Sequence, residues 1–423
     1  MTKNPLLSST QLSTQPDINI GLVGHIDHGK TTLLWRLSGK WADVHSEELK
    51  RGITIKLGFA DVIIRKCKKC GYLSYKDKCP KCQSDMEDLR YVSFIDAPGH
   101  KMLMASMLGG LAVINAAILV IAANEPFPQP QTKEHFFALR ARKIKDIIVV
   151  QNKIDLVTKE QAFEQYKKIK DFFSSYGLNP PIIPCSAQQE INIDLIFEEI
   201  LKLPKPKPDI SSDPIFLVIR SFDVNKPGTE IEKMVGGVLG GVLKKGKLKV
   251  GDEVEIKPGL SIVKETKQGK HISYKTIYAK ILDLKTEKFY LKEALPFGNL
   301  AIQTSLDPSL TKADGLAGCV VGLKGKLPEI TNKLKFKAYL FEKIVGTEKE
   351  EIVEDIKINE TLLLSINASV TVAKIKNIKK EENFFIAEAE ITIPIVPLPE
   401  SSIGIARNYG GQWRLIGWGE LIC

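Results

Sequence analysis

The feature that most constrains the fold of this chain is the octapeptide GHIDHGKT at residues 24–31. It has the spacing G-x-x-x-x-G-K-T, and an apolar run at residues 18–23 precedes it. Glycines allow such a loop to turn its backbone N–H groups onto phosphate, while Lys30 reaches the terminal phosphates and the Thr31 hydroxyl binds Mg²⁺. The helix-like segment that follows would direct its N-terminal end at the same anion. The sequence therefore predicts a strand, a phosphate-binding loop and a helix in succession.

Short apolar runs alternate with helix-like segments between residues 18 and 203. The helix-like segments include residues 160–176 and 193–201, and the apolar runs are mostly apolar on both faces. Buried parallel strands have this pattern, so the alternation predicts a doubly wound α/β sheet. Such sheets bind ligands beyond the carboxyl ends of their strands. The apolar runs lie at residues 18–23, 92–95, 116–123, 146–150 and 182–184.

A second motif, DAPGH at residues 96–100, directly follows one of these runs. An acidic residue that ends a strand beside a phosphate-binding loop can hold Mg²⁺ through water, which is the role predicted for Asp96. Gly99 can donate its backbone N–H to the terminal phosphate and move when that phosphate leaves. The motif thus predicts a segment whose conformation depends on the bound nucleotide.

Two further motifs, NKID at residues 152–155 and SAQ at residues 186–188, each follow a predicted strand. A carboxylate at Asp155 can accept from the N1–H and 2-amino groups of guanine, and adenine has no such pair of donors. The Lys153 stem can cover the face of the base. The residues predicted to surround the guanine are Asn152, Lys153, Asp155, Ser186, Ala187 and Gln188.

A polar segment, HSEELKRGIT at residues 45–54, lies between the first two motifs. It contains one glycine, Gly52, which can act as a hinge, and it ends in Thr54. Thr54 is placed to give Mg²⁺ a second hydroxyl ligand when the third phosphate is present. The segment therefore predicts a second nucleotide-dependent switch.

Four of the seven cysteines form a C-x₂-C-x₈-C-x₂-C pattern, and the other three are scattered. Each C-x₂-C pair can direct two thiolates at one ion, so the four predict a closed, structural Zn²⁺ site. An iron centre and a degenerate knuckle without metal are the alternatives. The cluster lies between β-like runs at residues 59–65 and 89–95, which predicts an insert at a hairpin tip. The predicted zinc ligands are Cys67, Cys70, Cys79 and Cys82.

Lysines surround the cysteine cluster. They can face RNA, or they can offset the negative charge of a Cys₄–zinc centre, and the sequence leaves both interpretations open. The formal charge of the chain, +10, fits an RNA partner because basic side chains displace counterions from phosphates, but it also fits simple solubility. The lysines of the cluster are Lys66, Lys68, Lys69, Lys76, Lys78 and Lys81.

The apolar runs of the chain are all short. The longest, residues 116–123, has the length of a strand, which predicts that no segment spans a membrane. The first residues are polar and lack an apolar signal region, so a cytoplasmic protein is expected. An odd number of cysteines with one tight cluster indicates a reducing compartment.

The sequence pattern changes after the α/β segment. Alternating proline and lysine at residues 204–208 cannot continue a helix and predicts a stiff linker. The β-rich runs that follow, with a second boundary near residues 325–328, predict two β-barrels. The predicted fold class is an α/β P-loop GTPase domain with a zinc-knuckle insert, followed by two β-barrel domains. The predicted units are a disordered tail at 1–16, a GTP-binding domain at 17–206 with its knuckle at 67–82, domain II at 207–327 and domain III at 328–423.

Taken together, these motifs have a family likeness. GHIDHGKTTL, RGITI, DAPGH and NKID resemble the translational GTPases of the elongation factor Tu class, which have a GTP-binding domain and two β-barrels. The likeness is narrowed to the gamma subunits of archaeal and eukaryotic translation initiation factor two by SEELKRGITIKLGFAD, the Cys₄ insert, ANEPFPQPQTKEH, IRSFDVNKPGTEIEKMVGGVLGG and WRLIGWG. The resemblance runs from about residue 17 to the last residue, and the short N-terminal segment favours the archaeal form.

The resemblance implies a GTP-dependent carrier of initiator methionyl-tRNA to the small ribosomal subunit. Such a carrier hydrolyses GTP to GDP and phosphate on start-codon selection, with Mg²⁺ at the nucleotide and Zn²⁺ in the knuckle. The resemblance also implies a heterotrimer, in which the alpha subunit docks on the second domain and the beta subunit on the GTP-binding domain.

Metal ligands and a catalytic residue are implied where the family motifs match. Thr31 and Thr54 correspond to the ligands of the main Mg²⁺. Asp27 and the Gly52 carbonyl resemble a second Mg²⁺ position. His100 corresponds to the histidine that orients the attacking water.

The same matching implies the rest of the nucleotide site. Ile26 and Ile53 flank His100 as an apolar gate. Domain III is lysine-rich and less similar to the family, so the matching implies no role for its arginines. Arg407 and Arg414 there are either contacts to tRNA phosphates or ordinary surface arginines. The residues implied to bind GTP are Asp27, His28, Gly29, Lys30, Thr31, Thr32, Asp96, Gly99, Asn152, Lys153, Asp155, Ser186, Ala187 and Gln188.

Three other functions remain as alternatives at this stage. An elongation factor for selenocysteyl-tRNA shares the phosphate-binding loop and the barrels, but is expected to carry a further C-terminal domain and no Cys₄ insert. A metabolic GTPase, such as the regulatory subunit of a sulfate-activating enzyme, would bind an adenylyltransferase in place of tRNA. A binding scaffold would use its protein partners as its main role and hydrolyse GTP incidentally.

Overall fold

The structure is a computed structural model. It describes residues 13–41, 58–96, 113–266, 269–344, 351–399 and 401–422. Over these ranges the chain forms one α/β body and two β-barrels, which confirms the predicted fold class. None of the helices in the described ranges is long and apolar enough to cross a membrane.

The α/β body is built on a seven-stranded sheet in the order β3-β2-β4-β1-β5-β6-β7. Strands β4, β1, β5, β6 and β7 are parallel, while β2 and β3 are antiparallel additions at one edge. The carboxyl ends of the parallel strands therefore share one edge of the sheet, where the predicted motifs begin. The strands are β1 Asn19–Gly24, β2 Gly58–Cys67, β3 Leu73–Ser74, β4 Met86–Asp96, β5 Ala116–Ala122, β6 Ile147–Asn152 and β7 Ile182–Pro184.

In the part of the α/β body that the structure describes, four α-helices cover the two faces of this sheet. Two of them lie on one face and bury apolar side chains at helical spacing, including Leu33, Leu37 and Ile196. The other two pack on the opposite face through residues such as Phe136 and Phe173. This arrangement buries both faces of the parallel strands, as their continuous apolar sequence requires. The helices are α1 Lys30–Ser38, α2 Pro130–Ala141, α3 Lys159–Ser175 and α4 Ile193–Lys202.

The first barrel, called barrel 1, follows the proline-rich linker. Its main sheet has the order β11-β16-β8-β9-β15-β12-β13, and pairing of β11 with β12 closes it. Strands β11 and β12 extend well beyond the short runs visible in the sequence. The strands are β8 Ile215–Phe222, β9 Val238–Lys245, β10 Leu248–Lys249, β11 Glu253–Thr266, β12 Gly269–Lys285, β13 Tyr290–Leu291, β14 Glu293–Ala294, β15 Leu300–Thr304 and β16 Val320–Leu323.

The second barrel, barrel 2, is closed by six antiparallel strands in the order β17-β20-β19-β18-β21-β22. Its interior is filled by alternating apolar residues, with Phe336 among the largest fully buried side chains of the described chain. The strands are β17 Thr331–Leu340, β18 Thr361–Ile366, β19 Ser369–Lys380, β20 Phe385–Ile395, β21 Ser402–Tyr409 and β22 Gln412–Leu421.

The α/β body contacts both barrels. Towards barrel 1, Asp61 N donates to Glu287 Oε2 at 2.7 Å, and Gly298 N donates to Asn19 Oδ1 at 2.8 Å. Towards barrel 2, the contacts come largely from helix α2, which lies beside the candidate site described below. The fold thus places the nucleotide edge of the sheet close to a joint between domains.

Candidate nucleotide site and cysteine cluster

The phosphate-binding loop connects β1, which ends at Gly24, to α1, which begins at Lys30. Gly29 precedes the helix with φ of 87°, in the left-handed region that favours glycine. A Cβ at this position would lie 2.4 Å from Asn152 Nδ2. Position 29 therefore requires glycine both for its backbone conformation and for the close approach of Asn152.

The first residues of α1 carry the side chains predicted to act on phosphate and Mg²⁺. Lys30 is mostly buried, and its Nζ donates to the His25 carbonyl of the loop at 2.7 Å. Thr31 Oγ1 donates to Asp96 Oδ2 at 2.9 Å, which joins the first motif to the end of β4. Thr32 is half-buried and Asp27 is exposed. A lysine, a hydroxyl and a carboxylate are thus assembled at one end of the loop.

Asn152 joins three of the predicted motifs. Its Nδ2 donates to the His28 carbonyl of the phosphate-binding loop at 2.9 Å. Its Oδ1 accepts from Ala187 N in the SAQ motif at 2.9 Å. Asn152 itself is the last residue of β6 and is almost fully buried, so this side chain sets the distance between the loop and the base-binding segments.

The predicted base-binding residues lie on either side of Asn152. Lys153 adopts φ of 62°, and Asp155 follows on an exposed turn. Ser186 and Ala187 are buried, while Gln188 is exposed. Arg36 of α1 donates to the Ala187 carbonyl and the Gln188 carbonyl at 3.0 Å each, and so fixes this segment against the helix.

The side chain of His28 lies under the loop and does not face the phosphate side. It is 1% exposed, with Nδ1 3.0 Å from the Val120 carbonyl and Nε2 3.2 Å from Glu125 Oε2. Burial lowers the pKa of His28 to about 4. His28 therefore supports the loop from below and offers its backbone to the site.

Four predicted site residues lie outside the described ranges: Gly52, Thr54, Gly99 and His100. Ile53, predicted as part of the apolar gate, lies there too. Their roles at the second switch, at the phosphate and in catalysis stay predictions.

Two side chains of helix α2 that sequence analysis missed hold the first half of the loop. His135 Nδ1 accepts from Gly24 N at 2.7 Å, and Gln131 Oε1 accepts from Ile26 N at 3.2 Å. Burial, with Lys30 nearby as a lesser cause, lowers the pKa of His135 to about 3, which keeps Nδ1 free to accept. The stretch QTKEH carried the only sequence signal for these residues, because it belongs to the family likeness.

The four predicted zinc ligands converge at the tip of the β2–β4 hairpin. Their Sγ atoms all lie within 4.8 Å of one another, with 3.4 Å between Cys67 and Cys82 and 3.5 Å between Cys70 and Cys79. Tetrahedral zinc with bonds of about 2.3 Å needs sulfurs roughly 3.8 Å apart, so the four thiols fit this ion. The cluster thus has the geometry of a closed metal site, and its residues leave no position open for a substrate.

Backbone N–H groups support the same interpretation of the cluster. Lys69 N and Cys70 N both donate to Cys67 Sγ at 3.4 Å. Hydrogen bonds from Ser84 lower the pKa of Cys82 to about 6, which favours its thiolate. These donors stabilise negative charge on Cys67 and Cys82. At Cys70 a backbone hydrogen bond from Tyr72 acts in the same direction, but the neighbouring thiols and burial outweigh it and raise the pKa of Cys70 to about 12.

Two of the surrounding lysines have contacts within the knuckle. Lys78 pairs with Asp85, and Lys81 lies over the Tyr72 ring with Nζ 4.1 Å from the ring centroid. These two lysines are exposed, as are Lys66, Lys68, Lys69 and Lys76. Lys78 thus pairs with a carboxylate of the knuckle, and Lys81 covers an aromatic ring of it.

Neither candidate arginine of barrel 2 is a free surface residue. Arg407 makes a bidentate pair with Glu360, and Arg414 pairs with Glu134 of helix α2 at 2.8 Å. The side chain of Arg414 is 8% exposed, and that of Glu134 is 1% exposed. Both arginines thus make contacts within the chain.

Two known family models match this chain, one over the α/β body and the other over barrel 2. Residues 15–206 match the model of the elongation factor Tu GTP binding domain, and residues 332–421 match that of the C-terminal part of initiation factor eIF2 gamma. The fold, the motifs at one sheet edge and these matches define the chain as a translational GTPase, and thus as a GTP hydrolase.

Individual relatives narrow the class. A translation initiation factor 2 subunit gamma from Pyrococcus horikoshii is 49% identical over 407 residues, covering 96% of this chain and 97% of that protein. The protein of the same name from Methanocaldococcus jannaschii is 46% identical over 417 residues, covering 98% of this chain and all of that protein. The chain belongs to the family of translation initiation factor 2 gamma subunits and is a translation initiation GTPase.

Solved structures agree on the fold. A bacterial selenocysteine-specific elongation factor superimposes with a TM-score of 0.71 at 23% identity, and this chain spans 58% of that protein. Translation elongation factor SelB from Methanococcus maripaludis, in complex with the GTP analogue GppNHp, gives a TM-score of 0.70 at 21% identity and is 79% covered. At these identities the likeness concerns the arrangement of the three units alone.

Proposed function

We propose that this chain carries initiator methionyl-tRNA to the small ribosomal subunit in a GTP-dependent manner, as the gamma subunit of a heterotrimer. It hydrolyses GTP to GDP and phosphate when the start codon is selected. The observation that carries the proposal is the near-full-length similarity to initiation factor gamma subunits, in a chain whose phosphate-binding loop, Asp96, NKID and SAQ meet at one sheet edge. The alternative of a selenocysteyl-tRNA elongation factor is supported less, because the identity to such factors is only 21–23% and shows a shared fold alone.

In this proposal the nucleotide lies across the loop at residues 24–31. Lys30 and the backbone of Gly29 hold the phosphates, Asp155 selects guanine, and Asn152 keeps the two parts of the site at a fixed distance. Thr31 and Thr54 supply hydroxyl ligands for Mg²⁺, with Asp96 acting through water. Support comes from the 2.9 Å contact of Thr31 with Asp96 and from the two hydrogen bonds of Asn152.

The remaining assigned residues have supporting roles. Asp27 and the Gly52 carbonyl serve a second Mg²⁺, and His100 orients the attacking water. When the third phosphate leaves, Thr54 and Gly99 lose their contact, and the surface that accepts the aminoacyl end of the tRNA is lost with them. The rest of the proposed GTP contacts are His28, Thr32, Lys153, Ser186, Ala187 and Gln188.

The cysteine cluster binds Zn²⁺ in a structural role in this proposal. The spacing of the four thiols and the N–H donors to Cys67 favour a tetrahedral ion held by thiolates. The ion would stabilise the hairpin tip without entering the hydrolysis reaction.

We place the beta subunit on the α/β body and the alpha subunit on barrel 1. A groove of about 650 Å³ beside α3, lined by Phe163 and Tyr166, supports the first assignment because Phe163 is 58% exposed. Ile231, 86% exposed, and Met234, 46% exposed, support the second. Exposed apolar surface of this kind marks sites where other proteins bind.

The structure corrects the predicted disordered tail at 1–16 at its end, because Gln15 is 5% exposed and its Oε1 accepts from Leu295 N of barrel 1 at 3.0 Å. The other proposed domain boundaries are those predicted from the sequence: 17–206, 207–327 and 328–423. They are supported by β8 beginning at Ile215 and β17 at Thr331. We also propose a cytoplasmic location, where a factor bound to the small ribosomal subunit would act.

Filter binding of charged tRNA tests the proposal. Initiator methionyl-tRNA and elongator methionyl-tRNA are each incubated with the alpha-bound protein, with a non-hydrolysable GTP analogue or with GDP. We expect tight binding only of the initiator with the GTP analogue, because the ordered switches and the tRNA stabilise each other.

Two results would contradict the proposal while leaving the GTPase assignment intact. Binding of neither tRNA would favour a metabolic GTPase or a protein scaffold. Equal binding of both tRNAs would exclude a role specific to initiation. Co-purification separates the first two alternatives, because a metabolic GTPase would bring an adenylyltransferase and a scaffold would bring protein partners alone.

A further inference from the structure

We propose that helix α2 couples barrel 2 to the phosphate-binding loop, so that moving barrel 2 away from α2 accelerates nucleotide release. Two positioning residues, His135 and Gln131, form the end of this connection at the loop. Glu134, which pairs with Arg414, forms its end at the barrel. The inference rests on the chain being a GTPase and is independent of the tRNA proposal.

At the loop end, α2 accepts hydrogen bonds from two backbone N–H groups. His135 Nδ1 lies 2.7 Å from Gly24 N, and Gln131 Oε1 lies 3.2 Å from Ile26 N. The His135 side chain is 3% exposed, so water has little access to the Gly24 N–H if the imidazole moves. A buried N–H without an acceptor is costly, and the loop would change its conformation to find one.

At the barrel end, α2 makes a buried ion pair. Arg414 Nη1 of β22 lies 2.8 Å from Glu134 Oε1, and neither side chain is more than 8% exposed. Breaking a buried pair by separating its partners leaves uncompensated charge, so α2 and barrel 2 are expected to move together.

A second contact fixes the carboxyl end of α2 to the same barrel. Arg142 Nη1 donates to the carbonyl and the hydroxyl of Ser402 at 2.7 Å each, and Arg142 Nη2 donates to Ser365 Oγ at 3.1 Å. Barrel 2 therefore holds the helix at Glu134 and again at Arg142, about two turns further along.

The residues of α2 that contact the loop lie next to the residue that contacts barrel 2. Glu134 and His135 are adjacent residues, and Gln131 lies one turn earlier on the same helix of 12 residues. Phe136 and Leu139 are fully buried against the sheet, which restricts the helix to small shifts as a rigid unit. A shift imposed at Glu134 is thus transmitted to the acceptor of the Gly24 N–H.

The loop end is tested by following the release of fluorescent methylanthraniloyl-GDP from the full chain in excess Mg²⁺. His135→Ala removes the acceptor, and we expect roughly tenfold faster release, since an unsatisfied buried N–H is created. His135→Asn offers an amide oxygen in its place and is expected to restore most of the slow release. Fast release from both variants would mean that His135 acts only by filling space, which contradicts the positioning role.

The barrel end is tested by the paired replacement Glu134→Gln with Arg414→Met, which removes both charges together. We expect several-fold faster GDP release. The matched control is Lys143→Ser with Glu420→Ser, an exposed ion pair at the same interface, which is expected to leave release within twofold. If the paired replacement does not fold, Arg414→Lys weakens the same contact more gently and is measured in its place.

A variant that combines the substitutions at the loop end and at the barrel end tests whether both act through helix α2. Once His135→Ala is present, the barrel replacements are expected to add little to the release rate, because the connection is already broken. Two outcomes would overturn the inference: independent multiplication of the two effects, or a lower melting temperature in the barrel variant with unchanged GDP release.

Discussion

Asn152 is the residue on which the geometry of the candidate nucleotide site depends most. Its carboxamide donates to the His28 carbonyl and accepts from Ala187 N, and both partners belong to other motifs. The close fit extends to Gly29, where any Cβ would collide with Asn152 Nδ2. One buried side chain thus holds together three loops that the sheet alone brings only near each other.

Replacing Asn152 with alanine is expected to lower GDP affinity at least tenfold. The free energy of unfolding should fall by about 2–3 kcal/mol, because two buried backbone groups lose their partner. Calorimetric titration with GDP and urea denaturation measure the two effects. The matched control is Asn225→Ala in barrel 1, where the amide also makes two hydrogen bonds to one loop residue, Val235. An equal loss of GDP affinity in both variants would show that Asn152 acts only through general stability.

The β2–β4 hairpin connects two candidate sites at its two ends. Its open end leads into the nucleotide edge of the sheet at Asp96, and its tip holds the cysteine cluster beyond Cys67. With about 3.3 Å per residue, the two ends are roughly 30 Å apart. The cluster is therefore expected to affect the stability of the hairpin and not the chemistry at the nucleotide.

Loss of one cysteine ligand tests this separation. Cys79→Ser is expected to abolish binding of one equivalent of zinc, because a closed tetrahedral site needs four thiolates. The melting temperature should fall, while GDP affinity stays within twofold. Cys319→Ser, at a buried cysteine of barrel 1 outside the cluster, is the control and should retain the zinc. A large loss of GDP affinity with Cys79→Ser would contradict the structural role of the cluster.

At the scale of the whole molecule, the segment that leads from barrel 1 to barrel 2 is attached to barrel 1 by polar contacts from strand β11. Lys257 Nζ of β11 donates to the Leu327 carbonyl at 3.2 Å and to Glu329 Oε1 at 3.1 Å. Glu255, also buried, accepts from Leu327 N at 2.7 Å and lies 3.8 Å from Lys257 Nζ. A buried pair on strand β11 thus holds the start of the segment that connects the two barrels.

Removing the lysine of this pair is expected to destabilise the molecule strongly. Lys257→Ala leaves the Glu255 carboxylate buried without its cation, which costs about 3–5 kcal/mol of unfolding free energy. Lys324→Ala breaks an exposed pair with Glu253 on the same strand and should cost less than about 1 kcal/mol. Urea denaturation compares them, and similar losses in both variants would mean that Glu255 is not truly isolated from water.

The sequence by itself determined those features that depend on residues close together in the chain. The glycine spacing of residues 24–31 requires a tight loop before a helix, and the structure has it between β1 and α1. The two C-x₂-C turns required a four-thiol cluster, and it forms at the predicted hairpin tip. Apolar runs indicated most strands of the sheet and the barrels, because a buried strand appears in the sequence as a short apolar or alternating run.

Only the tertiary structure decided features that join distant segments. No local pattern showed that His135 would accept from Gly24, or that Arg414 would be buried against Glu134. Sequence analysis also gave no bounds for helix α2 or strand β21, and it did not predict the full length of the β11–β12 hairpin. The physical reason is common to all of them. Hydrogen bonds and ion pairs between remote residues depend on how whole elements pack, whereas sequence periodicity records only which face of each element is buried.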